Sequence, residues 1–487
     1  MSRLVVVSNR VGPLKDTGRA GGLAVALVDA LTQAGGIWFG WSGEISEEGT
    51  FGNVRRVGSR KVLLATLDMT QADYDAFYVG YANKTLWPVF HYRLDLAVFD
   101  RHAEEGYLRV NDRFAARLRS LLRSDDVIWA HDYHFLPFAA SLRAMEVENP
   151  IGFFLHIPFP APEVLAALPN AAQMVRRMLA YDVIGFQSRR DAANFRRFAV
   201  EEIGAREADN GDLLLGSRRT VVRAFPIGID AEGFARQATT PDARRHTRRT
   251  EKLLAGRQQI IGVDRIDYSK GLPERFRAFG RLLEDYPENR GRISLMQVAP
   301  PSRAELDAYA EIRRELEALT GNINGRFADL DWTPIRYMTR SFTRRALAGL
   351  YRASRVALVT PLRDGMNLVA KEYVAAQRAE DPGVVVLSRF AGAAEEMSEA
   401  LIVNPHSAEE VAANLQTALT MPLDERRDRW QALFDRICEN DAASWAQAFL
   451  AALNNQGNGQ EEKEASGKAT SAFPEVFADT HFAATRE

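Results

Sequence analysis

Val356-Ala-Leu-Val-Thr-Pro-Leu-Arg-Asp-Gly-Met-Asn-Leu-Val-Ala-Lys-Glu372 joins an apolar, β-branched run, a polar loop and the opening of a helix. A run this continuous suits a strand buried on both faces, as in a parallel sheet. The same pattern recurs along the chain. Leu4–Val7, Val62–Thr66, Val127–Ala130, Ile151–Leu155 and Val183–Phe186 are such runs in the first half. Gln259–Val263, Ile293–Val298, Val384–Leu387 and Leu401–Val403 join the quoted stretch in the second half. Most are separated by segments with helical spacing. The expectation is an α/β protein with two doubly wound Rossmann-like domains facing a central cleft.

A seam near Pro226-Ile-Gly-Ile-Asp230 divides the chain into domains at 1–230 and 231–440. A helix over 441–455 follows, with Trp445, Phe449, Leu450 and Leu453 on one face, free to pack back on the first domain. Residues 456–487 are rich in Gly, Gln, Glu and Lys at their start and read as a disordered tail. The basic stretch Arg236 to Arg257 reads as a solvated helix face.

Among 487 residues, 62 Lys and Arg stand against 64 Asp and Glu, so no global field recruits nucleic acid or an anionic membrane. The apolar fraction of 46% and charged fraction of 26% are those of a globular protein. A lone Cys438 excludes an intrachain disulfide, and no apolar run is long enough to span a bilayer. Leu4 to Val7 is too short for a signal-peptide core, so a cytoplasmic protein is expected. The partners expected are small-molecule substrates, with no nucleic acid and no membrane; a homo-oligomer is left open.

Ligands of open parallel sheets bind outside the carboxyl ends of the strands, and there the polar residues cluster. Ser8-Asn9-Arg10, His131-Asp-Tyr-His134 and His156 follow runs of the first half. Asp264-Arg265, Lys270-Gly271, Arg303 and Arg363-Asp364 with Asn367 follow runs of the second. Gly21-Gly22 at a helix mouth is either an anion site or a tight turn, and Arg10 favours the anion. Arg265 and Lys270 suit a diphosphate clamp beside the helix opening at Asn367. Hydrogen bonds to charged groups contribute about 1.5–3 kcal/mol against roughly 0.3–1 for a helix dipole, so the cations dominate. Asp364 and Glu372 serve equally as a capping arrangement or as acceptors for sugar and ribose hydroxyls. His131 and His134 lack a clustered third ligand for a metal, and Asp329-Leu-Asp331 reads as a surface turn, so no metal is assigned.

Ser8-Asn-Arg10, Gly21-Gly22, Trp38-Phe-Gly-Trp-Ser-Gly43, Leu86-Trp-Pro88 and His91-Tyr-Arg93 lead an ordered series. His131-Asp-Tyr-His134, Phe153-Phe-Leu-His-Ile-Pro-Phe-Pro160, Arg265-Ile-Asp-Tyr-Ser-Lys-Gly271 and Pro361 to Glu372 complete it. This set, in unbroken order over about residues 1 to 455, resembles the trehalose-6-phosphate synthase family of retaining glucosyltransferases with GT-B architecture. The resemblance implies transfer of glucose from a nucleotide-diphosphate sugar, usually UDP-glucose, to glucose 6-phosphate, with no required cofactor. It implies that Arg10, Trp41, Tyr78, Trp87, Asp132 and Arg303 bind the acceptor. Gly21, Gly22, Arg265, Lys270, Phe342, Asn367, Leu368, Val369 and Glu372 would bind the donor, whose glucose would meet His156 and Asp364. Catalysis would fall to Asp132, His156, Arg265, Lys270 and Asp364.

Two alternatives keep the fold: a synthase with another phosphorylated acceptor such as glycerol 3-phosphate, and a catalytically silent sugar-phosphate sensor. Trp41 and Trp87 favour a sugar ring over glycerol. The presence of Asp132, Arg265, Lys270 and Glu372 speaks against a silent sensor. A dinucleotide-dependent dehydrogenase lacks its glycine fingerprint here.

Overall fold

Every apolar run named above forms a strand. A computed structural model describes residues 3–12, 31, 35–47, 54–58, 62–303 and 307–465. Its first sheet is built from β1 (Leu4–Arg10), β2 (Gly36–Ile45), β3 (Arg55–Gly58), β4 (Val62–Met69) and β5 (Val127–His131). It continues with β6 (Ile151–Phe154), β7 (Val183–Phe186), β8 (Arg206–Glu207), β9 (Leu213–Leu215) and β10 (Arg218–Ala224). The order is β3-β4-β2-β1-β5-β6-β7-β10-β9-β8, parallel from β4 to β10 with antiparallel strands at both edges. The second sheet contains β11 (Gln258–Val263), β12 (Ile293–Val298), β13 (Ile335–Met338), β14 (Val356–Val359), β15 (Val384–Ser388) and β16 (Leu401–Val403). Its order, β13-β12-β11-β14-β15-β16, is parallel throughout. Both sheets reverse winding direction beside their first strand, between β1 and β5 and between β11 and β14, which fixes where ligands enter.

β2, β3, β8, β9, β10 and β13 escaped the sequence reading because they are short, polar at their ends or interrupted by glycine. Gly36 and Gly40 interrupt β2, and a Cβ at Gly40 would collide with the Ser8 carbonyl of β1. β13 is an edge strand of half-buried residues. The last helix also departs from expectation: its backbone runs from Ala442 to Ala465, so 456–465 are helical rather than part of a tail. Gln, Glu, Lys and Ala in this stretch are good helix formers, and they extend a helix already nucleated by packing. The remaining tail lies outside the described residues.

Packing of that helix is specific. Phe449 stacks on Trp129 of β5 with centroids 4.7 Å apart, and Trp445 lies 5.0 Å from the same ring. A Cβ at Gly152 of β6 or Gly185 of β7 would come within 2.6 or 2.8 Å of the Phe449 ring. The two glycines form the notch that admits it.

The sheets meet at their carboxyl ends. A Cβ at Gly365 would collide with the His156 carbonyl, so this glycine permits the two backbones to touch. Beside that contact is a reciprocal clasp. Arg363 lies 3.9 Å over the Tyr92 ring, and Arg93 lies 5.4 Å over Tyr268. Lys371, almost fully buried, donates to the Ile227 carbonyl at 2.8 Å and to Glu396 at 2.6 Å. Among the described residues no helix is long and apolar enough to cross a membrane.

Candidate active site between the two sheets

A cavity of about 590 Å³ opens where the strand ends face each other. His156 and Gln187 line it from the first sheet; Asp264, Arg265, Lys270, Asp364, Asn367 and Glu372 line it from the second. Phe342, Leu368 and Val369 complete the wall on the donor side. Of the residues named as candidates from the sequence, His156, Arg265, Lys270, Phe342, Asp364, Asn367, Leu368, Val369 and Glu372 line this cavity, whereas Gln187, Ser341 and Arg344 line it without having been named. Gly21 and Gly22 lie outside the described residues.

The helix Leu368–Ala376 begins at the cavity without a side-chain cap, since Asn367 sits at φ 79° and makes no capping hydrogen bond. Its first N–H groups are left for an anion. Asn367 instead donates to Asp364 at 3.1 Å, and Lys270 pairs with the same carboxylate at 2.6 Å. The two residues assigned to diphosphate and to sugar are therefore bonded to each other. Arg265 is exposed and, among the described residues, its guanidinium reaches Ser302 at 3.3 Å. Glu372 faces the Arg344 guanidinium at 3.5 Å. Burial raises the Glu372 pKa from its usual range, against the pull of Arg344.

The residues expected to meet the acceptor lie along one continuous belt. Arg10 stands 5.9 Å from the Trp41 ring, Trp41 is 6.1 Å from Tyr78, and Tyr78 stacks on His134 at 5.9 Å. His134 is 4.1 Å from Tyr133, Tyr133 is 5.5 Å from Trp87, and Arg303 lies 3.7 Å over Trp87. Arg10, Trp41, Tyr78, Trp87 and Arg303 are thus brought together through two residues, Tyr133 and His134, that had no assigned acceptor role. The buried indole N–H of Trp87 has no hydrogen-bond partner among the described residues. Arg303 is held by Tyr309 at 2.7 Å, by Tyr133 at 3.0 Å and by buried Asp267 at 3.4 Å. Tyr133 and Asp267 are distant in sequence, and Tyr309, six positions on, carried no motif that could have marked it.

Asp132 has φ 73°, a backbone conformation costly for a residue with a Cβ. Its carboxylate accepts from the His156 N–H at 3.3 Å, and burial pushes its pKa up to about 6 against Arg303 and Arg265. The His156 ring is neutral, its pKa lowered by burial to about 3. Both of its nitrogens have protein partners: Nε2 meets His131 Nδ1 at 3.1 Å and Nδ1 meets Gln187 Nε2 at 3.4 Å. Among the described residues no group of acidic, His or Cys side chains has metal-site geometry. Asp331 pairs with Arg257 in a surface turn with Asp329, and neither lines the cavity.

The model of Glycosyltransferase family 20 matches residues 8–455. A trehalose-6-phosphate synthase from Klebsiella pneumoniae is 47% identical over 479 residues, covering 98% of this chain and all of that one. An α,α-trehalose-phosphate synthase (UDP-forming) from Burkholderia xenovorans, solved in complex with glucose 6-phosphate, is 48% identical with a TM-score of 0.89. That match covers 93% of this chain and 100% of the other. An E. coli structure bound with UDP-2-fluoro glucose has 46% identity and a TM-score of 0.89, covering 93% and 99%.

Proposed function

The chain belongs to glycosyltransferase family 20, and we propose on that premise that it transfers glucose from UDP-glucose to glucose 6-phosphate with retention, forming α,α-trehalose 6-phosphate. The observation that carries this reading is that Arg265, Lys270 and the uncapped helix start line one cavity while Arg303, the end of the aromatic belt, pairs with Asp267 of the Arg265–Lys270 loop and follows Ser302, which Arg265 reaches. One side offers charge for a diphosphate; the other offers aromatic faces and two guanidinium groups for a sugar phosphate.

We assign the donor diphosphate to Arg265, Lys270 and the N–H groups of Leu368 and Val369, the base to the Phe342 wall, and the ribose to Glu372. Asp364 and His156 hold the donor glucose; Asp132 accepts from acceptor hydroxyls. As the bond between the anomeric carbon and the phosphate oxygen breaks, charge grows on the leaving group, and cations fixed where water is excluded stabilise it. No carboxylate is assigned as nucleophile. The acceptor's anomeric oxygen attacks from the face the diphosphate leaves, its proton passes to a leaving phosphate oxygen, and configuration is retained. The chain acts in the cytoplasm on small-molecule substrates and needs no metal.

Arg265→Ala and Lys270→Ala should each lower kcat by about 10²–10³, the usual cost of one charge-stabilising donor. NMR of the disaccharide product with metal chelated reads activity and anomeric configuration together. Wild-type turnover in both variants would remove the clamp assignment, and activity lost in chelator would remove the metal-free one.

A further inference from the structure

Gln187 follows β7 and is buried, and no role was assigned to it. Its amide orientation can be deduced. The backbone N–H of Ile227 lies 3.0 Å from Gln187 Oε1, and an N–H only donates, so the atom facing it must be the carbonyl oxygen. The NH2 group is thereby turned toward His156 Nδ1, 3.4 Å away. An amide NH2 is a donor, so Nδ1 must be the lone-pair nitrogen of a neutral imidazole. The proton then resides on Nε2, which faces His131 Nδ1 at 3.1 Å. The opposite tautomer would set N–H against N–H at Gln187.

We propose that Gln187 is a positioning residue that fixes His156 in its Nε2–H tautomer, with His131 Nδ1 as the resting acceptor, so that the cleft presents a ring N–H donor and not a lone pair. The consequence for the sugar rests on the assignment of donor glucose to His156; the tautomer itself does not. Ile227 belongs to the segment joining the sheets, so the tautomer is also tied to the position of that segment. The titratable group meeting the ring is His131; Asp132, also at the end of β5, accepts from the His156 backbone N–H, and Lys270 and Asp364 line the same cavity.

The test is long-range 1H–15N NMR of the full chain labelled with 15N-histidine, with His156 assigned by comparison with His156→Asn. The wild type should show Nε2 protonated and Nδ1 bare. Gln187→Glu puts an acceptor against Nδ1, so its His156 should become Nδ1-protonated, and kcat with UDP-glucose should fall roughly tenfold for the misplaced donor. A wild type protonated at Nδ1 would overturn the proposal without any variant that must fold. An unchanged nitrogen pattern in Gln187→Glu would overturn it as well, as would a reversed pattern at wild-type kcat. Wild-type turnover in His156→Asn would instead count against the donor-glucose assignment.

Discussion

Asp132 joins three properties that conflict unless the residue is functional: a left-handed backbone, a carboxylate pushed up to about 6, and a place within the fields of Arg303 and Arg265. Ionisation is needed if it is to accept from acceptor hydroxyls, so kcat/KM should fall as pH drops through about 6. The neutral histidines beside it, His156 and His134, both lowered to about 3, cannot supply that limb. The acceptor phosphate also titrates near pH 6, so the discriminating variant is Asp132→Asn: a limb that persists in it belongs to the substrate. The raised folded-state pKa has a consequence for stability. The fold holds the proton more tightly than the unfolded chain, so stability falls as pH rises from about 4 to about 6. Asp132→Asn should therefore be less active but more heat-stable at pH 7, which a melting curve checks.

At the scale of elements, the strand ends need a fixed frame, and Arg275 supplies it. Its buried guanidinium reaches Asp264 at 2.9 Å after β11, Gln297 at 2.9 Å in β12 and Thr360 at 3.2 Å after β14. Arg275→Leu strands Asp264 and should cost about 3–5 kcal/mol in denaturant unfolding. The donor-side layout was legible because strand, loop and helix follow one another in Pro361 to Glu372, and local order carries the geometry. The acceptor belt was legible only in part. Arg10, Trp41 and Trp87 sit in motifs, but Tyr133 joins Arg303 across 170 positions, a distance no local pattern encodes. Likewise the Phe449 notch depends on glycines of two separate strands. Gly152 lies just before the quoted Phe153 motif, and Gly185 lies inside a run read only as strand.

Across the whole molecule, the last helix is part of the first sheet's packing, not an appendage. Removing residues 441–487 strips Phe449 and Leu453, both fully buried, and bares Trp129. A milder change, Phe449→Ala, should cost about 3–5 kcal/mol by opening a cavity, and differential scanning calorimetry would register it as a lowered transition. Near-neutral charge has its counterpart inside the cleft. Lys270, Arg303 and Arg344 already hold Asp364, Asp267 and Glu372. On the assignments proposed above, ligand entry is a substitution reaction: a diphosphate arriving at Lys270 would displace a carboxylate, and the displaced Asp364 would be released toward the glucose that arrives with it. Little net charge is exchanged with bulk electrolyte. Calorimetric Kd for UDP should then change by less than about tenfold between about 0.1 M and 1 M salt, where exposed charges would be screened. UDP-glucose should also gain more from Asp364 than UDP does, because only the sugar nucleotide offers the liberated carboxylate a new partner.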